Sequence, residues 1–326
     1  MQASQELRFS LCERPAVPLP VSVIVPVRND ARNLPRCLES LRGVGEVCVI
    51  DSHSTDETVA IAQAYGAKVI QFHYRGGWPK KRQWAMDTLS FAYDWILLLD
   101  ADETLTPNLI EEIRRAIEST GIDGYYIALR MHFLGKVLRH GDAAFYKLSL
   151  FRGGKGHFEC RLKNQDESMC DMEVHEHIVV DGPTAKLANP LIHHNVDSLS
   201  RYIQKHDNYS NWEAGVWLRG EASQGELPPT PWGTQAQRRR WLKWKFLGIP
   251  GSPVLFFLYK YLFRLGVLDG RPGLIYAGFQ AMQMFHVKAK IFELRMQKRE
   301  TCTTARPEAD AAGAKVSYDG STQAVR

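Results

Sequence analysis

The sequence predicts an α/β fold with a Rossmann-like, mostly parallel sheet and a helical extension at the C-terminus. In the first 120 residues, short apolar runs alternate with segments whose apolar residues have helical spacing. Strands that are apolar on both faces are typical of sheets covered by helices on both sides. With 326 residues, 44% of them hydrophobic, the chain can form one large domain and an appendage.

The predicted elements follow one another in regular order. Four buried strands are expected at VSVIVPV (21–27), EVCVID (46–51), AKVIQF (67–72) and WILLLD (95–100). Helices are expected at DARNLPRCLESL (30–41), STDETVAIAQAYG (54–66), KKRQWAMDTLSFA (80–92) and NLIEEIRRAIEST (108–120). Ser54 and Glu57 have the spacing of a capping box, and Pro107 suits the first position of the last of these helices.

The later part of the chain is β-rich to about His194, and we interpret it as a continuation of the same domain. A helical segment follows at SLSRYIQKHDNYSNWEAGVWLRGE (198–221). The predicted organisation has five parts: an N-terminal extension (1–19), the α/β domain (20–221), a linker (222–237), a basic and aromatic helical region (238–297) and a disordered tail (298–326).

Composition indicates the compartment and excludes one class of partner. The six cysteines are scattered without a CxxC pair, which favours free thiols in a reducing compartment. The first twenty residues have no apolar run of signal-peptide length, so we expect a cytosolic protein. The net charge is only +5, and the single basic cluster has no accompanying nucleic-acid-binding motif. We therefore expect no nucleic-acid partner.

Acidic residues follow two of the predicted strands. Asp51 ends the second strand, and Asp100 and Asp102 follow the fourth in the stretch DADE. Open parallel sheets bind ligands beyond the carboxyl ends of their strands. Two aspartates separated by one residue suit Mg²⁺ or Mn²⁺ bridging to phosphate. The alternatives are a turn or helix cap for Asp51 and a solvated loop with surface salt bridges for DADE. Glu103 is expected to face solvent or to support a neighbouring loop.

An apolar strand ending in acids also occurs in P-loop ATPases, but that interpretation fails. It requires a GxxxxGK[ST] loop directly after the first strand. This chain has RNDARN there, and its RGGKGHF segment lies elsewhere with a different spacing.

Three cations, Lys80, Lys81 and Arg82, fall at the predicted start of the third helix. Cations are unfavourable there because that end of a helix carries partial positive charge. A bound anion such as a diphosphate would compensate. The alternative is three solvated surface cations.

Four motifs together resemble family 2 glycosyltransferases of the GT-A fold: VSVIVPVRNDARNL, VIDSHSTDETVAIAQAYGAKVI, KKRQWAM and DWILLLDADE. Within that family the chain is similar to the lipopolysaccharide-core glucosyltransferase branch. Three later segments, VHEHIVVDG, HHNVDSLSRYIQKHDNYSN and LDGRPGLIYAGF, also resemble that branch. The resemblance implies an inverting transfer from a nucleotide-diphosphate sugar.

The resemblance also implies roles for individual residues. Asp51 would contact the nucleobase beside the turn formed by Pro26, Val27 and Arg28. Asp100 and Asp102, with Ala101 between them, would serve the diphosphate and the metal. This sequence departs from the family at His53, where glycine is more usual, and that departure concerns the backbone near the nucleotide.

Inverting transfer needs a general base to take the proton of the acceptor hydroxyl. Our candidate is Glu176 in EVHEHIVV, where strand alternation would place it on the face opposite His175 and His177. The alternative is an ordinary hydrated hairpin. Asp142 in RHGD is the reserve candidate. His193 or His194 could add a metal ligand, although a lone histidine is more often structural.

The C-terminal region has the composition of a membrane-contacting segment. RRRWLKWKF (238–246) mixes five cations with three aromatic residues, which suits an anionic lipid surface. The following FLGIPGSPVLFFLYKYLF contains two prolines and Lys260, and its uninterrupted part is too short to span a bilayer. A helix lying in the interface is expected. The alternatives are a helical cap on the α/β domain and an oligomer interface.

The predicted protein is a metal-dependent glycosyltransferase, peripheral on the cytoplasmic face of the inner or plasma membrane. It would transfer a sugar from a UDP-type donor to a glycolipid or lipid-linked acceptor in lipopolysaccharide or other envelope glycan synthesis. The alternatives are a nucleotidyltransferase of related fold, whose usual glycine-rich loop is absent, and a catalytically inactive membrane-bound adaptor.

Overall fold

The computed structural model describes residues 17–141, 145–161, 171–173, 176–194, 198–218 and 226–304. The strands are β1 Leu19–Val27, β2 Val44–Asp51, β3 Lys68–Gln71, β4 Trp95–Leu98, β5 Glu103–Thr104, β6 Gly124–Phe133, β7 Lys136–Val137, β8 Phe145–Arg152, β9 Gly156–Phe158, β10 Ile178–Val180, β11 Thr184–Lys186 and β12 Leu191–His194. The helices are α1 Leu34–Ser40, α2 Thr58–Ala64, α3 Lys81–Thr88, α4 Pro107–Ile117, α5 Leu199–Leu218, α6 Gln235–Gly248, α7 Ser252–Leu258 and α8 Gly270–Thr304. A π-helical turn, Tyr259–Phe263, and a 3₁₀ turn, Gly266–Asp269, lie between α7 and α8.

One curled, mostly parallel sheet organises the described part of the chain, in the order β3-β2-β1-β4-β8-β6-β12-β5. Strands β1 to β4 pair in parallel, and β8 runs antiparallel between β4 and β6. Strand β12 is parallel to β6. The carboxyl ends of β1, β2, β4, β6 and β12 therefore share one edge, and β8 begins at that edge. The predicted α/β fold is confirmed, including its β-rich continuation.

The two faces of the sheet carry separate apolar clusters. Val23 and Leu97 point to the cluster that contains residues of α1 and α4, whereas Ile24 and Leu98 point to the cluster that contains Ala85 of α3. Each buried aliphatic side chain of this kind contributes about 1.5–3 kcal/mol to folding. Burial on both faces is the reason why these strands are continuous apolar runs in the sequence.

The beginnings of two helices test the capping predictions. Helix α4 begins at Pro107, as expected, and the structure adds a cap, in which the Thr106 side chain accepts a hydrogen bond from the Leu109 N–H. The predicted capping box of α2 is wrong. Helix α2 begins only at Thr58, and Ser54 instead donates its hydroxyl to Asp51, because the loop after β2 turns back onto that carboxylate.

The C-terminal helices pack on the end of the sheet. Phe133 at the end of β6 forms a cluster with Tyr202 of α5 and Tyr276 of α8. Helix α8 continues to Thr304, so the prediction of a disordered tail beginning at residue 298 is wrong for residues 298–304. No described helix is both long and apolar enough to cross a bilayer.

Candidate active site

The turn after β4 carries the three acids of DADE, and Glu103 shapes it from inside. Glu103 is fully buried, and its carboxylate accepts the Asp100 N–H at 3.0 Å. Lys147 of β8 lies 3.4 Å from the same carboxylate. Burial raises the pKa of Glu103, and Lys147 opposes this shift only in part. Of the two expectations for Glu103, support of the neighbouring loop is therefore the one that the structure shows.

Both carboxylate oxygens of Asp100 have cationic partners. Oδ1 is paired with the buried guanidinium of Arg82, and Oδ2 lies 3.1 Å from Lys147 Nζ. Burial alone would raise the pKa of Asp100, but Arg82 and Lys147 hold it well below its usual range. Asp100 is therefore an ionised anchor that joins α3 and β8 to the DADE turn.

The Asp102 carboxylate faces the other side of the turn. Its Oδ2 lies 3.2 Å from His193 Nε2 and 3.5 Å from Lys205 Nζ of α5. His193 reaches this position because β12 pairs antiparallel with β5, in a register that sets it opposite Glu103. Although burial opposes both shifts, the Asp102–His193 contact lowers the pKa of the carboxyl and raises that of the imidazole.

Asp102 and His193 are the described side chains best placed to hold a divalent cation. Asp100 is engaged on both oxygens, and the described residues contain no set of three or more His, Cys, Asp or Glu side chains placed around a metal position. His193 Nδ1 is buried and has no hydrogen-bond partner among them. One carboxylate and one imidazole fit Mg²⁺ or Mn²⁺ as a partial site, because these ions commonly take their other ligands from phosphate and water. The metal prediction therefore centres on Asp102 and His193.

Helix α3 begins where expected, but protein carboxylates surround its cations. Lys80, at the N-cap, lies 3.3 Å from Glu176, and Lys81 lies 3.1 Å from Asp171 and donates to the Val27 carbonyl at 2.9 Å. All three cations of the helix start are at least 95% buried. The alternative of solvated surface cations is therefore wrong.

Glu173 supplies the anion at the start of α3. Its carboxylate accepts the backbone N–H groups of Arg82 at 3.2 Å and Gln83 at 3.0 Å. Its carbonyl oxygen accepts a hydrogen bond from the Arg82 guanidinium at 2.7 Å. The residues near 173 thus compensate the helix end from a sequence separation of about ninety residues, which no local pattern indicates.

Of the two candidate bases, Glu176 lies among the described residues and Asp142 does not. The Glu176 side chain is fully buried beside Lys80, and it lies in the turn before β10 rather than in the strand itself. Its placement therefore does not follow from strand alternation. Asp142 and His175 lie outside the described residues.

The ends of β1 and β2 are adjacent, with Val27 paired to Asp51. Asp51 is fully buried, and its carboxylate accepts the Ser54 N–H at 3.0 Å, so it organises the loop after β2. Pro26 pairs with Ile50, and Arg28 is exposed beyond the strand.

His53 has a φ of 52°, a left-handed conformation that glycine adopts easily. The departure from the family pattern at this position therefore keeps a glycine-like backbone. His194, the other candidate metal ligand, lies 3.3 Å from the Thr104 hydroxyl, and burial lowers its pKa to about 4.

Sequence reasoning missed several cations and acids of the site. The missed residues are Lys147, Lys205, Asp171 and Glu173. Only Lys147 leaves a signal, because it is the one charged residue in the strand segment FYKLSLF. Lys205 is one of many polar residues on its helix, and its position follows only from the packing of α5.

Comparison with known proteins places residues 22–177 in a family. Residues 22–177 match the family model described as glycosyl transferase family 2. The lipopolysaccharide core biosynthesis glycosyltransferase LpsC of Rhizobium meliloti is 28% identical over 302 residues, which are 90% of this chain and 97% of that protein. An uncharacterized glycosyltransferase of Rickettsia felis is 40% identical over 111 residues, 32% of this chain and 36% of that protein.

A solved structure of S. aureus TarS, residues 1–349, has a TM-score of 0.42 at 16% identity and covers 85% of this chain and 91% of that one. The family-model match identifies residues 22–177 as a family 2 glycosyl transferase domain, and with the similarity to LpsC it makes the chain a glycosyltransferase.

Proposed function

We propose that the chain transfers a sugar, with inversion, from a UDP-sugar to a glycolipid or lipid-linked acceptor in lipopolysaccharide or envelope glycan synthesis. The observation that carries this proposal is the Asp102–His193 pair, set beside the cation-bound Asp100 at the carboxyl edge of the sheet. The name of LpsC supports the acceptor class.

The site suits a diphosphate because positive charge surrounds the acids. Lys147 and Lys205 stand on either side of the DADE turn and could contact phosphate oxygens when their aspartate contacts loosen. A divalent ion held by Asp102 and His193 would neutralise charge developing on the leaving diphosphate. Arg82 holds Asp100, and the nucleobase would lie beside Asp51 and the Pro26–Arg28 turn.

Lys80 and Lys81 would act indirectly, by holding the residues that cover the start of α3. Glu176 remains our candidate for the general base, with Asp142 in reserve. Lys80 is within ion-pair distance of Glu176 and helps to hold that side chain in place.

A lipid-linked acceptor would require the protein to act at a membrane, and we propose that it is peripheral on the cytoplasmic face of an anionic one. The region 238–297 contains eleven Lys or Arg residues and two acids, a net charge of +9 against +5 for the whole chain. The rest of the chain thus carries −4. Positive charge concentrated beside exposed apolar residues is typical of proteins that bind anionic lipid surfaces.

Titration calorimetry with UDP in the presence and absence of Mn²⁺ tests the donor site. We expect metal-dependent binding in the wild type, loss of binding in Asp102→Ala, and unchanged binding in Asp181→Ala, a matched control in an exposed turn. Absence of UDP binding, as in an inactive adaptor, or equal binding by Asp102→Ala would refute the site. Screening nucleotide sugars for donor hydrolysis would then identify the sugar.

A further inference from the structure

An apolar surface without a covering element runs from α7 to the 3₁₀ turn before α8 in the described structure. We call it the apolar ridge: Val254, Leu258, Leu262, Phe263, Leu265 and Leu268. Phe263 is 80% exposed, Val254 64% and Leu268 60%. Isolated exposed apolar residues are ordinary, but six of them within the fifteen residues 254–268 indicate an interaction surface.

Charge distinguishes between two possible occupants of the ridge. The ridge belongs to the region 238–297, which has a net charge of +9, and exposed Arg264 and Arg271 flank its 3₁₀ turn. A second copy of this chain would bring two positively charged surfaces together, whereas an anionic bilayer would neutralise the charge. The observations therefore favour a membrane.

The basic helix α6 is less available for lipid than its sequence predicted. The Arg240 guanidinium is paired with Glu159, and its Nη1 also donates to the Leu227 carbonyl at 2.8 Å. Lys243 is paired with Glu213 of α5. Two of the five cations of RRRWLKWKF thus attach α6 to other parts of the chain, which moves the expected lipid contact toward the ridge.

The segment that carries the apolar ridge also forms hydrogen bonds to the α/β domain. The Asp269 carboxylate accepts the backbone N–H groups of Arg139 at 3.2 Å and His140 at 2.9 Å, and it lies 3.2 Å from His140 Nδ1. The Gly141 N–H donates to the Arg264 carbonyl at 2.8 Å. Residues 139–141 are therefore held directly by the segment that carries the ridge.

Residues 139–141 lie at the carboxyl edge of the sheet, where the candidate active site is. They follow β7, which pairs with the carboxyl end of β6, and they precede β8, whose Lys147 contacts Asp100. A bilayer in contact with the ridge would therefore lie next to the edge at which the donor site is built.

We propose that the apolar ridge inserts into the headgroup region of an anionic membrane and, through Asp269 and Arg264, holds residues 139–141 at the lipid surface. The hydroxyl of a lipid-linked acceptor then approaches the Asp102 site along residues 139–141. This inference rests on the peripheral membrane attachment proposed above and identifies the surface that makes it.

Vesicle flotation tests the ridge with the full chain. Phosphatidylcholine vesicles with and without phosphatidylglycerol are the probes, and the variants are Phe263→Ser/Leu268→Ser and the control Trp232→Ser, whose side chain is 92% exposed outside the ridge. We expect wild type and Trp232→Ser to bind the anionic vesicles. The double variant should bind about tenfold more weakly or worse, because each substitution removes a large apolar group from the lipid contact.

Hydrogen–deuterium exchange of the wild type gives a second measurement that needs no variant. Adding anionic vesicles should slow exchange in peptides covering 254–268 and 139–141, and leave β2 and β3 unchanged. Protection confined to α6, or flotation of the double variant equal to that of the wild type, would refute the assignment of the lipid contact to the ridge. Neither result would refute membrane attachment itself.

The remaining outcomes are also separable. Failure of the wild type to float would refute membrane attachment, and a dimer that the double variant dissociates would assign the ridge to a second copy. UDP binding tests the glycosyltransferase site independently of all these results.

Discussion

Changing each of the two aspartates of DADE to asparagine should have a different effect. Asp100→Asn should mainly lower the stability of the fold, and Asp102→Asn should mainly weaken metal-dependent UDP binding. Asp100 compensates Arg82, whose side chain is only 5% exposed and whose Nε has no partner among the described residues. Removing one partner of a buried ion pair typically costs about 3–5 kcal/mol. Asp100 is 27% exposed, and asparagine keeps one acceptor oxygen, so we expect about 2–3 kcal/mol for Asp100→Asn.

Asp102→Asn should cost much less stability. Its partner Lys205 is 43% exposed and can return to water, and His193 can release its proton, so no buried charge is left uncompensated and the loss should be smaller than for Asp100→Asn. The same change removes the carboxylate that we propose as a metal ligand. Metal-dependent UDP binding should then weaken about 100-fold or more, since loss even of an outer partner of a metal ligand costs about 10–100-fold.

Urea denaturation followed by tryptophan fluorescence measures the first effect, and calorimetry with UDP and Mn²⁺ measures the second. Equal losses of stability in the two variants would refute the distinction. So would UDP binding that depends on Asp100 and not on Asp102 in folded protein.

Three further predictions follow from individual carboxylates. Glu173→Ala should lower the free energy of unfolding by about 2–4 kcal/mol, because the N–H groups at the start of α3 lose their acceptor. Glu173→Gln keeps an acceptor oxygen and should cost less. Equal unfolding curves for Glu173→Ala and the wild type would contradict this. Glu176→Gln should reduce kcat by about 10²–10⁴-fold with donor binding intact, and near wild-type turnover would exclude Glu176 as the base. Burial opposes ionisation of Glu46, but Lys68, Ser22 and the Ala92 N–H lower its pKa below 4.5. Its contribution to stability is therefore full above pH 4.5 and is lost as the pH falls through its lower pKa in the folded protein. The free energy of unfolding of Glu46→Gln should therefore fall less steeply in acid than that of the wild type. Equal pH dependence of the two proteins would refute the assignment.

Much of the fold could be predicted because its causes are local or periodic. Strands buried on both faces must be continuously apolar, so β1, β2 and β4 are visible in the sequence. Thr106 and Pro107 mark the start of α4 by chemistry within one turn. The predicted capping box of α2 failed because Ser54 can bond either its own helix or Asp51, and the approach of the loop to β2 decides between them.

The sequence by itself determined that this chain forms an α/β sheet with acids at the carboxyl end of a central strand, since strand burial and strand order along the chain are enough to place them. Only the tertiary structure decided the partners of those acids. Strand β8 inserts antiparallel beside β4 and brings Lys147 to Asp100, and the pairing of β12 with β5 brings His193 to Asp102. These contacts join residues 47 to 91 positions apart, and long-range strand pairing and helix packing, rather than any local propensity, set which charges meet.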